Sequence, residues 1–190
     1  MATKAGDGRR GLILDRDGVV NVDTGYLHRI EECCFVDGIF AMAAAFAARG
    51  FAIAIATNQA GIGRGLYTEA DFAELMRWME DEFRRHGVTL GGIYHCPDHP
   101  TAGVGPYRRD NPWRKPGPGM MLQAAADLGL DLGRSWTVGD KASDIAAGRA
   151  AGIGTLVCYD AAAPAVARRE DVWVVPRLGD IVALLEAEAG

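Results

Sequence analysis

Short runs that are apolar on every residue alternate with stretches of helical period, and this alternation limits the fold more than any other feature. Gly11–Asp15 (Gly-Leu-Ile-Leu-Asp), Phe51–Ala56, Trp136–Gly139 and Ile153–Val157 read as strands with no polar face. Strands of that kind belong to parallel sheets whose two faces are both covered by crossover helices. The intervening segments supply the helices: Gly38–Arg49, Thr68–His86, Pro118–Leu128, Ala142–Ala151 and Ile181–Ala189. Thr68 reads as an N-cap, with Asp71 three residues on imitating a capping box. Gly92–His95 reads as a further strand and Val172–Val175 as an edge strand. Cys96–Lys115 has no usable period and, with Pro116, contains five prolines, so it reads as a loop. The expected fold is α/β: a three-layer α/β/α sandwich around a mostly parallel sheet. One domain over residues 11–190 follows, preceded by a disordered lead, Met1–Arg10.

Composition narrows the partners. The chain has 190 residues, a net charge of -5 and a pI near 5.4, which argues against nucleic acid or an anionic membrane, since both demand a basic footprint. The longest apolar stretch, Ile39–Ala48, is too short to span a bilayer, and Met1–Arg10 lacks the apolar core of a secretory signal. Cys33, Cys34, Cys96 and Cys158 form no Cys-x-x-Cys pair, so a reducing cytoplasm is expected; a monomer is the expected state.

Ligands of such sheets bind beyond the carboxyl ends of the strands, and three predicted strands end in polar residues there: Asp15 with Asp17, Thr57 with Asn58, and Asp140. In Asp15-Arg16-Asp17-Gly18, side-chain alternation lets Asp15 and Asp17 face one way while Arg16 points elsewhere. Neighbouring carboxylates repel unless a cation separates them or one is protonated. A Mg²⁺ ion held by one or two carboxylates and substrate phosphate oxygens resolves that conflict; an ordinary Asp-Gly turn is the competing reading. Asp140, in Gly139-Asp140-Lys141-Ala142-Ser143-Asp144, adds a carboxylate to the same ion. Asp144 either backs that ion or is a helix N-terminal acid favoured by the macrodipole. Thr57-Asn58-Gln59-Ala60 opens a Gly-rich stretch to Gly65 that can cradle an anion, although the chain contains no GxxxxGK[ST] loop; Arg64 within it reads as solvated. Only Lys4, Lys115 and Lys141 are lysines among 20 basic residues. Lys115, fixed by Arg114 and Pro116, is therefore a candidate to neutralise a transferring phosphoryl group.

Taken in chain order, these segments resemble the four motifs of the haloacid dehalogenase superfamily phosphatases: an Asp-x-Asp on the first strand, a Thr on the second, a later Lys and a Gly-Asp-x-x-x-Asp. Asp15–Asn21, Gly25-Tyr26, Thr57–Gly65, Cys96-Pro97 and Arg114–Pro116 resemble the histidinol-phosphatase-like branch, over about Gly11 to Val157. The resemblance implies a Rossmann-like fold without a large cap domain. It implies that Asp15 attacks phosphorus to form an aspartyl phosphate, while Asp17 protonates the leaving alkoxide and then activates water. Mg²⁺ would be held by Asp15, the backbone carbonyl of Asp17 and Asp140, with Lys141 and Asp144 behind it. Thr57, Asn58 and Lys115 would bind the transferring phosphoryl group, and Asp23, Thr24, Gly25, Tyr26, Gln59, Ala60 and Arg114 the rest of the substrate. The implied substrate is a small phosphorylated sugar, a D-glycero-D-manno-heptose 1,7-bisphosphate losing its 7-phosphate on the way to lipopolysaccharide or related glycans. Histidinol phosphate or a broad range of sugar phosphates is the enzymatic alternative, and a catalytically silent phosphosugar-binding protein the other; the intact Asp15/Asp17 pair disfavours the latter.

One departure stands out. Relatives hold the loop of about residues 96–115 with zinc on a Cys-x-His and a later Cys-x-Cys pair. Here the first reads Cys96-Pro97-Asp98, with His99 one place late, and the later positions read Asn111-Pro112-Trp113. His95, Cys96 and His99 make only a partial set, so no structural zinc is expected, and prolines, Tyr107 and Trp113 are expected to shape the substrate loop.

Overall fold

The computed structural model describes residues 8–188. Its centre is β1 (Gly11–Leu14), whose side chains alternate between two apolar layers: Leu12 and Leu14 enter one core, Ile13 the other. β2 (Ala52–Asn58) does the same, with Ile53 and Ile55 on the first side and Ala54 and Ala56 on the second. The first layer is completed by α1 (Ile39–Ala48), α3 (Glu69–Arg85) and α6 (Leu178–Glu188), and the second by α4 (Gly119–Leu128) and α5 (Ala142–Ala151). This is the expected three-layer sandwich. A four-residue helix, α2 (Ala60–Gly63), follows β2 directly.

With β3 (Leu90–Cys96), β4 (Trp136–Gly139), β5 (Thr155–Tyr159), β6 (Ala167–Arg169) and β7 (Val172–Val175), the seven strands run in the order β3-β2-β1-β4-β5-β7-β6. All pairings are parallel except β6 with β7. The order reverses direction at β1, between β2 and β4, and that reversal opens a crevice at the carboxyl ends of these strands.

Three expectations need correction. Val172–Val175 is not the edge: Ala167–Arg169 folds back on it in an antiparallel pair, through a turn in which Glu170 has φ +56°. Ala-Arg-Arg carries no apolar alternation, so that strand exists only through its partner. The lead does not extend to Arg10, because Arg9 is bonded on both sides, from its N–H to Gly129 O and from Asp131 N–H to its own carbonyl. The remainder of that lead, residues 1–7, lies outside the described residues, as does Ala189 of the closing helix; that helix begins at Leu178, before Ile181. The capping box of α3 is present in full: Asp71 N–H donates to Thr68 Oγ1, and Thr68 N–H to Asp71 Oδ2.

Candidate active site

The crevice gathers the polar strand ends. Asp15 continues β1, its N–H bonded to Val138 O of β4 at 2.9 Å. Thr57 and Asn58 close β2 and Asp140 follows β4. Lys115 enters from the long loop between β3 and α4, fully buried, and its ammonium donates to Asp15 Oδ1 at 2.7 Å and to Ala56 O at 2.8 Å. Asp144, on the first turn of α5, meets the same ammonium at 2.6 Å while its other oxygen accepts from Lys141 N–H. The helix-acid reading of Asp144 is therefore true but incomplete, since the side chain is also a buried partner of Lys115. A cavity of about 100 Å³ joins Asp15, Thr57, Asn58, Lys115 and Asp144 to Asp17, Asp23, Gly25, Lys141 and Ser143. Wider hollows lie away from this chemistry, one of them around Arg10, Arg49 and Arg134.

Charge in the crevice is unbalanced. Ligand oxygens of Asp15, Asp140 and Asp144 lie within 4.8 Å of one another, a grouping suited to a metal ion. Against three carboxylates stand the buried ammonium of Lys115 and the more exposed one of Lys141, 3.6 Å from Asp140 and shared with Asp23, so negative charge is in excess. Burial pushes the Asp15 carboxyl up to about 7, with Lys115 pulling it back and Asp144 adding to the rise. Burial opposes the Lys115 ammonium too, but Asp15 and Asp144 outweigh it and its pKa sits above the ordinary lysine value. Asp140 is likewise raised, by burial first, with Lys141 opposing and Asp144 reinforcing. Its Oδ1 is buried without a hydrogen-bond partner. A hard divalent cation that prefers carboxylate oxygens would satisfy both the charge and the orphaned oxygen. Gly18 allows this approach: with φ +99°, a Cβ there would lie 2.2 Å from Asp140 Oδ2.

Asp17 sits in a different environment. Its carboxylate accepts from Arg16 Nε and Nη2 at 2.8–3.1 Å, from Asn21 Nδ2 at 3.1 Å and from Gln59 Nε2 at 3.0 Å. Arg16, expected to point elsewhere, turns back onto its neighbour and is fully buried, with one further bond to Leu27 O. Asp17 is thus outside the carboxylate triplet, although it lines the same cavity.

The other predicted contacts divide. The Asn58 side chain clamps the backbone of Lys115, donating to its carbonyl and accepting from its N–H, both at 3.0 Å. Gln59 is buried and faces Asp17 and Thr57 rather than the cavity. Asp23 pairs with Lys141 at 2.9 Å, and Lys141 also lies 3.6 Å from Asp140. Burial alone would raise the Asp23 carboxyl, but the bonds from Lys141 and Gly25 N–H hold it below its ordinary value. Tyr26 is exposed beside Arg64, and Thr24 and Ala60 do not line the cavity. Arg114 donates to Asp98 O at 3.2 Å instead of reaching the cavity.

The long loop is organised around a carboxylate that sequence reasoning missed. Asp98 is fully buried, and its Oδ2 accepts from Arg109 Nε at 2.8 Å and Asn111 Nδ2 at 2.6 Å. Asn111 in turn accepts from Trp113 N–H. The three residues weighed as zinc ligands have separate surroundings: His95 pairs with Glu69, Cys96 is in the second core, and His99 accepts from the Ala102 N–H in its own turn. The one signal for Asp98 was its place in the Cys-x-His slot.

Similarity to known proteins agrees with this geometry. The HAD-hydrolase-like family model matches residues 112–181. A D-glycero-alpha-D-manno-heptose-1,7-bisphosphate 7-phosphatase of Burkholderia mallei is 52% identical over 151 residues, 78% of this chain and 80% of the relative. The D-glycero-beta-D-manno-heptose-1,7-bisphosphate 7-phosphatase of Yersinia pestis is 42% identical over 178 residues, covering 93% and 95%. Among solved structures, the D,D-heptose 1,7-bisphosphate phosphatase of B. bronchiseptica, complexed with magnesium and phosphate, superposes with a TM-score of 0.78 at 27% identity, covering 94% of this chain and 99% of that one.

Proposed function

Because the chain belongs to the HAD-like phosphatases, the family of its heptose-bisphosphate phosphatase relatives, we propose that it is a Mg²⁺-dependent phosphatase releasing the 7-phosphate of D-glycero-D-manno-heptose 1,7-bisphosphate. One observation carries the chemistry: Asp15 lies at a strand end against the buried Lys115 ammonium, with two more carboxylates around it and a charge deficit that fits a divalent cation. Asp15, Asp140 and the Asp17 carbonyl would hold Mg²⁺, with Asp144 and Lys141 behind. When bound, the ion neutralises phosphoryl oxygen charge and the repulsion among the carboxylates.

The steps belong to the chain's own residues. An Asp15 carboxylate oxygen attacks phosphorus, and the bond from phosphorus to the sugar oxygen breaks. Asp17 swings from its dock on Arg16, takes up a proton from solvent and gives it to the departing alkoxide. Water then attacks the aspartyl phosphate, Asp17 takes the water's proton, and the acyl phosphate P–O bond breaks to free phosphate and restore Asp15. Lys115 and Thr57 hold the transferring group, for which positioning and charge neutralisation matter more than covalent help. Asn58 contributes by fixing the Lys115 backbone. Four free cysteines support placement in a reducing cytoplasm; no helix among the described residues is long and apolar enough to cross a membrane.

A kinetic panel with Mg²⁺ tests the reading, comparing both anomers of the heptose bisphosphate with histidinol phosphate and simple sugar phosphates. The expected result is the highest kcat/KM on a heptose bisphosphate. Equal turnover of histidinol phosphate overturns the substrate, and no phosphate release from any compound overturns the enzyme in favour of a phosphosugar-binding protein.

A further inference from the structure

Gln59 lies in the anion-binding stretch, yet its side chain is buried and makes three contacts inside the protein. Their polarity can be worked out. Asp17, docked on the Arg16 guanidinium, offers only acceptors, so the Gln59 atom 3.0 Å from its Oδ2 is the amide nitrogen. That nitrogen also lies 2.7 Å from Thr57 Oγ1, so the threonine hydroxyl accepts from it. The amide oxygen then faces the Tyr67 hydroxyl at 2.5 Å, which donates. A hydroxyl carries one hydrogen, and that of Thr57 has no acceptor among the described residues. Thr57 lines the cavity beside Asp15 and Lys115.

We propose that Gln59 and Tyr67 are positioning residues: together they fix the Thr57 hydroxyl as a pure donor aimed at a phosphoryl oxygen in the cavity. This deepens the phosphatase reading and rests on it. With the amide reversed, its oxygen would accept the Thr57 hydrogen and the substrate would lose it. Asp17 opposes reversal, because a carboxylate only accepts, and the Tyr67 hydroxyl holds the amide oxygen in place. Once Asp17 swings toward the leaving oxygen, the buried Tyr67 hydroxyl still anchors the far end of the amide. The fold holds Tyr67 in place for this. Its ring is buried, stacks on His28 with centroids 5.1 Å apart, and lies so near Gly61 that a Cβ there would fall 2.1 Å from Tyr67 Cε1. That contact gives Gly61 a packing role beside any part in anion binding.

The test is a mutant cycle read on the heptose bisphosphate and on p-nitrophenyl phosphate with Mg²⁺. Tyr67→Phe keeps the ring and removes only the donor, leaving the buried amide oxygen unpaired so that Gln59 no longer holds Thr57 firmly. Its kcat/KM is expected to fall on the order of tenfold on both substrates. Thr57→Val is expected to fall at least as far, and Tyr67→Phe to add nothing in the Thr57→Val background. Thr57→Ser, which keeps a hydroxyl, is expected to restore the dependence on Tyr67. A Tyr67→Phe variant with wild-type kcat/KM overturns the proposal, and so does an equal loss in the Thr57→Val background, because the tyrosine then acts elsewhere. Gln59→Glu, nearly the same shape but with acceptors opposite the hydroxyl, should fall as far as Thr57→Val; wild-type activity there overturns it as well. If only p-nitrophenyl phosphate is hydrolysed, the substrate reading fails while this cycle still decides the relay. If nothing is hydrolysed, the cycle is run on inorganic phosphate affinity by calorimetry, with the same non-additivity expected and additive losses overturning it.

Discussion

Asp144→Asn separates two roles of one buried side chain. The asparagine oxygen can keep the bond from Lys141 N–H, so the α5 cap survives, while one negative charge leaves the carboxylate group. Without a cation the variant loses the buried ion pair with Lys115 and sets an amide NH2 against its ammonium, a cost offset in part because Lys115 retains Asp15 and Ala56 O and the repulsion of Asp144 on Asp15 and Asp140 disappears. With a divalent cation the loss shows. Ligand oxygens lie within 4.8 Å of one another, and at about 5 Å and an effective dielectric of about 20 a single pair of unit charges interacts by about 3 kcal/mol. Lys115 screens part of this, so a tenfold loss of Mg²⁺ affinity, about 1.4 kcal/mol, is the conservative expectation. In the wild type, Mg²⁺ at about 100 Kd stabilises by about 2.7 kcal/mol, which for a domain of this size raises Tm by about 5–11 °C. In Asp144→Asn the same concentration is about 10 Kd, and the rise shrinks to about 1.4 kcal/mol, about 3–6 °C. Differential scanning calorimetry in Mg²⁺ and in chelator reads all four values. An undiminished rise in the variant refutes the charge argument; a wild type indifferent to Mg²⁺ refutes the site.

Three further outcomes are expected. Asp15→Asn abolishes phosphate release while the Tm in chelator stays within a few degrees of wild type, because the amide keeps the shape and removes only the nucleophile's charge; steady-state turnover above the background of a mock preparation would show another nucleophile. Gly18→Ala forces a side chain into a φ of +99° and against Asp140 at 2.2 Å, so the Mg²⁺-dependent rise in Tm is lost, and its survival would place the cation elsewhere. Asp98→Ala removes the acceptor shared by Arg109 and Asn111 and should cost about 2–3 kcal/mol in urea unfolding, with earlier proteolytic cleavage in the loop after Cys96; unchanged cleavage would leave its shape to the prolines and Trp113.

The parts of the site legible in the sequence are those fixed by the strand pattern. Asp15, Thr57 and Asp140 end apolar runs, so their meeting at one sheet edge follows from the parallel topology alone. Lys115 stood out because lysine is scarce in this chain. What stayed hidden depends on side-chain direction within loops, which no periodicity encodes. Asn58 and Gln59 are the residue types that bind anions, but their amides satisfy buried groups, the Lys115 backbone in one case and Asp17 with Thr57 in the other. Tyr67 belongs to no motif in the sequence, and Asp98 stands only where a Cys-x-His pair would place its histidine. Asp144 was ambiguous for a physical reason: an acid at a helix start is favoured by the dipole whether or not anything buried needs its charge.

The two acids of the Asp-x-Asp pair illustrate how a fold assigns different work to identical side chains. Alternation along the strand suggests that both face the ion, yet only Asp15 joins the carboxylate triplet. It faces an ammonium at 2.7 Å and two like charges, an environment that holds an oxygen at the cavity for attack and makes a bound cation favourable. Asp17 faces a buried guanidinium, an asparagine and a glutamine, all donors, and none of them is a like charge. A proton carrier must be free to leave its partners and return, and donors held rigidly by Leu27 O and Tyr67 provide a place to return to. Separation of the environments therefore assigns nucleophile and proton carrier, as divergent surroundings do for paired carboxyls generally. It also makes Arg16 testable: Arg16→Met, which keeps bulk and removes the dock, should impair turnover while Mg²⁺ still raises Tm as in the wild type.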